Sequence, residues 1–340
     1  MKLGPAALDN LKSYVDISNN CYQLVQHRAG RGSAEVVVSG LKAEQGALHN
    51  DFMNVQTPAT QVPWAVSSPF RMRPGLARLT TVHGAPEAAP PLFVRDPQAA
   101  AYAEHKRVSL QQHRARSQIG EADPAVLQAI AEAYERQTGV AIAPEADALA
   151  QGLQEDFVIL HDDREGMRTR FLSVCFPSNW APAEKIHLDF AAIHAPVADN
   201  ALLQAGGQAI IDMAFRQASM LRHVWLLTPN GDLAQHPETR RTRWEDAVAQ
   251  ADASGASGRL IDQVFFRVER QTTLPLPALR RGVFFIRVMV CPLTEALGVE
   301  PGRATQLAEA LASMSEAVVA YRGMVAVQAR LCGELAALGP

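Results

Sequence analysis

QVFFRVERQ, residues 263–271, and VFFIRVMVC, residues 283–291, decide the fold class. Both are rich in β-branched and aromatic residues and free of glycine and proline, as sheet strands are. TTLPLPALRRG joins them. Alternation places Phe265, Arg267, Glu269 and Gln271 on one face, and Phe266, Val268 and Arg270 on the other. Each face therefore carries an arginine. In a covered sheet at least one of the two must be paired or bind an anion.

Working outward, DFVIL (156–160) and RFLSVCF (170–176) read as two more strands, with HDDREGM as the turn of a hairpin. VWLLT (224–228) is a strand, followed by the turn PNGD. Residues 201–221 return to a helical pattern, with Ile210, Ala214 and Ala218 on one side. Upstream, Asp96-Pro97 and Asp123-Pro124 are N-caps followed by proline at the first helical position. They open helices to Arg116 and to Gly139, and a third helix is expected over 145–154.

Downstream, Pro301 to Leu335 reads as one long helix, with Leu307, Leu311, Met314, Val318, Tyr321 and Val325 at helical spacing. Such a helix lies across the sheet or docks a second copy of the chain, which makes a homo-oligomer an expectation. The fold class is α+β: an antiparallel sheet, a helical N-terminal half and a long C-terminal helix. Residues 1–60 read as an N-terminal extension with one strand at AEVVVSG (34–40), and 61–340 as a single domain with its core at about 150–300.

The 340 residues are 48% apolar and 20% charged, enough for a substantial core. A net charge of −3 gives no basic footprint for nucleic acid. No apolar run approaches the roughly 18–20 residues that span a bilayer. The first residues, MKLGPAALDNLKSYVD, lack the apolar stretch of a signal peptide. The expectation is a cytoplasmic protein. Cys21, Cys175, Cys291 and Cys332 are widely spaced without C-x-x-C, and read as inert apolar groups.

The candidate chemistry lies in NWAPAEKIHLDFAAIHAPV (179–197). His187 and His194 are seven apart, but no third or fourth ligand stands at zinc spacing. No G-x-S-x-G elbow and no phosphate loop occurs. Haem needs less: one axial side chain, an apolar wall and one or two cations for the propionates. Phe190, Ile193, Pro196 and Val197 around His194 supply such a wall, although a hydrogen-bonded core histidine fits the same residues.

FPSNWAPAEKIHLDFAAIHAPV resembles a family pattern of F-P-S-x-W, then E-K, then I-H-x-P-V-P. RVERQTTLPLP with GVFFIRVMVCPL resembles its arginine-rich strand, leucine-proline turn and return strand. LQEDFVIL resembles its Q-E-D segment, RHVWLL its R-x-N-W segment, and SPFRMRPGL and EHKRVSL its weaker early motifs, all in the right order over about 65–300. The family is the haem-dependent oxidative N-demethylase α-subunit-like proteins of bacteria and fungi. The resemblance implies a PAS-like sheet holding haem b and oxygen-dependent demethylation of a small amine. It also implies electrons from a separate flavin and iron–sulfur reductase.

Carried over residue by residue, the resemblance makes His194 the iron ligand, with His187 as the alternative. Arg222, Arg267, Arg270 and Lys185 become the cations for propionates or an anionic substrate, and Trp180 and Trp225 pocket walls. Glu184, His187, Asp199 and His223 are the candidates for proton delivery. The chain departs from the pattern at His187, Asp189, Phe190, Ala198, His223 and Val224. These departures bear on the substrate more than on the haem. Two other readings fit the same residues: a haem-based gas or redox sensor, and a haem-free module that holds a carboxylate ligand on Arg267 and Arg270.

Overall fold

The computed structural model describes residues 55–73, 75–79, 91–164, 166–255 and 258–339. The expected strand at 34–40 and most of the expected extension lie outside them. In chain order the elements are β1 (Ala77–Arg78), α1 (Ala99–Ser117), β2 (Gln118–Gly120), α2 (Pro124–Thr138), α3 (Ala146–Gly152), β3 (Asp156–Asp163), β4 (Gly166–Ser173), α4 (Phe190–His194), α5 (Ala201–Ile211), β5 (Met220–Thr228), α6 (Trp244–Ala253), β6 (Phe265–Leu276), β7 (Arg281–Pro292), α7 (Leu293–Gly298), α8 (Arg303–Ala312), α9 (Glu316–Tyr321) and α10 (Gln328–Ala336). Among the described residues the seven strands form one sheet, ordered β1-β5-β6-β7-β3-β4-β2, and every pairing is antiparallel. The chain is a mixed helix-and-sheet protein, as its periodicities require.

Local signals act where expected. Asp123 accepts a hydrogen bond from the Ala125 amide, Pro124 opens α2, and Gly139 closes it in the left-handed region. That helix buries Val126, Leu127, Ile130 and Tyr134. The β6–β7 hairpin is longer than its sequence suggests, because most of the joining segment continues the ladder to the Leu276–Arg281 pair. The turn itself is Pro277–Leu279 plus Arg280 in the left-handed region. In the β3–β4 hairpin a bulge at Ile159/Leu160 skips Arg170 and keeps Thr169 and Leu172 on one face. α6 had no clear signal in the sequence.

The sheet is covered on both sides. Phe157, Ile159, Phe171, Val283 and Phe285 pack against α2 and α3. On the same side Phe266, Val268 and Met289 meet Leu307, Leu311, Leu331 and Leu335 of α8 and α10. The opposite face carries Val288 and Val290 against Tyr102 of α1, and Val158, Leu160, Leu172 and Phe284 against the segment after α4. Among the described residues no helix is long and apolar enough to cross a membrane.

Two expectations are corrected. The helical pattern over 201–221 ends as α5 at Ile211, a π turn follows over Asp212–Gln217, and Ala218 is extended at the entry to β5. The C-terminal region is not a single long helix but α8, α9 and α10. Ser315 caps α9 by accepting from the Val318 amide, and Gly323 turns the chain in the left-handed region after Tyr321. Leu307, Leu311, Met314 and Val318 of the expected stripe are buried, whereas Tyr321 and Val325 are exposed.

Candidate functional site

A cavity of about 350 Å³ lies between the sheet and α4–α5. Its sheet wall is Val158, Leu160, Leu172, Arg222, Val224, Leu226, Glu269, Gln271, Thr273, Phe284 and Ile286. Its helical wall is Phe190, Ile193, His194, Leu203, Ile210, Ile211, Ala214 and Phe215. Trp180 and Lys185 close one side, and Tyr321 and Arg322 also border it. Apolar side chains dominate, with a few polar groups placed among them, as in small-molecule sites.

His194 is fixed from both ends of its helix. Asp189 caps α4 by accepting from the Ala192 amide at 2.8 Å. Asn200 donates to the carbonyl of His194 at 2.9 Å and to that of Ala195 at 3.2 Å. The imidazole Nδ1 lies 2.7 Å from the Phe190 carbonyl, an acceptor only, so Nδ1 carries the proton and Nε2 keeps its lone pair. Burial pushes the histidine below its ordinary pKa, which keeps it neutral. Such a ring, tautomer fixed by a backbone acceptor, is ready to ligate a metal.

Glu269 stands on the sheet wall. Ser178 donates to its Oε1, and Gln271 Nε2 to its Oε2 at 2.7 Å. Lys185, Arg222 and Arg322 are the cations that border the cavity. Burial pushes Arg222 below its ordinary pKa while Glu269 opposes the shift. Burial takes Arg322 down to about 10, with Tyr321 opposing.

The structure brings together His194, Arg222, Lys185 and Trp180 and leaves the other expected residues elsewhere. Arg267 is fully buried, and its donors go to Ser178 Oγ and to the carbonyls of Phe176, Asp232 and Leu233 at 2.8–3.2 Å. It sews two loops to β6 and does not line the cavity. Arg270 points to the other face, where it donates to the carbonyls of Pro91 and Leu92. His223 pairs with Arg270 across the strands, and burial followed by that charge takes its pKa to about 4. Trp225 also faces away, packed near Phe70 and Phe266. Glu184, His187 and Asp199 are exposed. His187 Nδ1 faces Arg170 at 3.3 Å, and Asp199 accepts from Ser315 at 2.7 Å.

The Q-E-D segment proves to be architecture. Gln154 exchanges hydrogen bonds with Asp96, Glu155 accepts from the Val94 amide, and buried Asp156 pairs with buried Lys106 at 3.1 Å. Tyr321, Arg322, Ser178 and Gln271 had gone unnoticed as site residues in the sequence. Gln271 had a signal in its place beside Glu269 on an arginine-bearing face, and Ser178 in the F-P-S-x-W motif. Cys175 and Cys291 are buried thiols pushed up to about 12, so neither is a nucleophile. Among the described residues no three His, Cys, Asp or Glu side chains gather as a metal-ion cluster; haem needs a single protein ligand.

A comparison with curated proteins finds none that matches the chain. The pattern described as haem-dependent oxidative N-demethylase, alpha subunit-like, matches residues 143–332, a span that carries both walls of the cavity. The chain belongs to the haem-dependent oxidative N-demethylase alpha subunit-like family.

Proposed function

We propose that the protein is a haem-dependent monooxygenase that oxidises a small nitrogen compound at or beside its nitrogen, with N-demethylation as the leading reaction. The observation that carries this reading is His194: neutral, its Nδ1 committed to the Phe190 carbonyl, in the wall of an apolar cavity. The residues fit haem b. His194 would hold the iron, Phe190, Ile193 and Leu203 would flank the ring, and Arg222 and Lys185 would meet propionates. When bound, haem supplies the oxygen activation and electron transfer that side chains lack.

The chain supplies the rest. The aliphatic wall excludes water. Glu269, steadied by Ser178 and Gln271, is the group on the sheet wall that can orient a substrate nitrogen and exchange a proton with it. Tyr321 is a second proton carrier at the border. Glu184, His187, Asp199 and His223 do not line the cavity, so protons from them would have to pass through these groups. Electrons would come from a separate flavin and iron–sulfur reductase. A PAS-like sheet is supported by the order β4-β3-β7-β6-β5, with helices inserted between β4 and β5.

The test is the absorbance spectrum of the purified protein, with haem supplied, before and after dithionite and CO. A Soret band that shifts with CO is expected, and it should be lost in His194→Ala. Absence of the band in the wild-type protein would end this reading.

A further inference from the structure

Five arginines among the described residues bury side-chain nitrogens that find no hydrogen-bond partner: Arg168, Arg222, Arg287, Arg303 and Arg322. Three of them are anchored through other atoms. Arg168 donates to the His187 carbonyl, Arg287 pairs with Asp96 at 2.7 Å, and Arg303 donates to the Ala296 carbonyl at 2.9 Å. Of the five, Arg222 and Arg322 alone have side chains that hydrogen-bond or ion-pair with no described residue, and both border the same cavity. Arg222 is already given to a propionate under the proposed function. Arg322 is the one still unassigned.

Its surroundings are specific. The guanidinium sits 4.7 Å from the ring centroids of both Phe70 and Trp225. Cation–π contacts of this kind occupy the faces of the planar group. What they leave are its two in-plane edges, Nε–Nη2 and Nη1–Nη2, on each of which one nitrogen, Nε or Nη1, is buried and unpartnered. An arginine edge is a planar fork that matches a carboxylate with two parallel hydrogen bonds. Burying such a charge without a partner is unfavourable, so the position makes sense only with an anion beside it. Glu269, the one carboxylate in the lining, is already held by Ser178 and Gln271. Among the described residues no other carboxylate lines the cavity, which points to an anion supplied by a ligand.

We propose that Arg322 is a carboxylate-binding residue of the cavity, pre-oriented by the Phe70 and Trp225 rings. The carboxylate belongs to a haem propionate or to the substrate, which would then be an N-methylated amino acid and not a simple amine. The propionate source rests on the proposed function; the substrate source does not require it.

The test uses the full-length chain, wild type and Arg322→Gln, titrated with haem b, with haem dimethyl ester and with N-methylglycine. Haem binding is read by absorbance and N-methylglycine by calorimetry. If the carboxylate is a propionate, Arg322→Gln weakens haem b by about tenfold or more and leaves the ester unchanged. If it is the substrate's, both haems bind as in wild type and N-methylglycine affinity falls by a similar factor. Equal loss of haem b and ester marks a packing role and overturns the proposal, as does wild-type affinity for all three. Arg322→Lys keeps the charge without the fork. Should the glutamine variant fail to fold, an intermediate loss confined to the carboxylate ligand supports the proposal and no loss refutes it. Wild-type chain that takes up no haem at all counts against the proposed function; Arg322-dependent binding of N-methylglycine would still uphold the carboxylate site.

Discussion

Replacing Arg267 by methionine tests whether that side chain is scaffold or binding site. The arginine is fully buried and donates to three backbone carbonyls and to Ser178 Oγ. Methionine keeps much of the volume and removes every donor. Each orphaned buried acceptor costs about 1–3 kcal/mol. Taking the low end for the three carbonyls gives a loss of about 3 kcal/mol. Burial already disfavours the charge, taking its pKa to about 10, so the high end would ignore the relief from removing it. Against a typical stability of about 5–15 kcal/mol this is a large share. At about 2.1 cal/mol/K of unfolding entropy per residue, a chain of 340 residues shifts by about 1.4 °C per kcal/mol, so the melting temperature falls by roughly 4 °C. Urea denaturation followed by far-ultraviolet circular dichroism measures the change. A variant with wild-type stability that loses a ligand would refute the reasoning, because Arg267 would then be a binding residue after all.

Other outcomes follow from the same contacts. His223 has a folded pKa of about 4 against about 6.5 in an unfolded chain. Between those values the unfolded state binds the extra proton, so stability falls as pH drops from about 6.5 to about 4 and then levels off. His194, also lowered by burial, adds in the same direction. Melting temperature against pH should therefore slope less on the acid side in His223→Asn. Gly120 has φ +91°, and a Cβ there would collide with the Arg170 carbonyl. Gly120→Ala should cost at least about 1–3 kcal/mol by denaturation, whereas Gly139→Ala, with open space around it, should carry only the backbone term. Asn200→Ala removes the donors to the carbonyls of His194 and Ala195 and should weaken haem retention without abolishing the Soret band.

Strands β3 to β7, and the Asp123 cap and Gly139 stop of α2, were legible because alternation, N-caps and glycine stops act within a few residues, whereas the helix expected to start on Asp96-Pro97 begins at Ala99. Motif order pointed to His194 and Arg222, and both line the cavity. Strand parity separates two of the expected wall residues. Arg222 and Trp225 are three apart on β5, so they face opposite sides of the sheet and cannot both wall one pocket. Parity also grouped Arg267 with Glu269, correctly, but not which of them would reach open space. That depended on where the loops carrying Phe176 and Leu233 crossed the strand.

The sequence by itself determined the period of the long strands and of α2, the mixed helix-and-sheet class and the family motifs. Tertiary structure alone decided which face of the sheet encloses the cavity and which arginines keep their donors free. It also brought Tyr321 and Arg322 to a site whose other residues lie far upstream. The reason is physical: backbone periodicity is set by neighbours in sequence, whereas the satisfaction of a buried charge depends on carbonyls and rings delivered by distant segments.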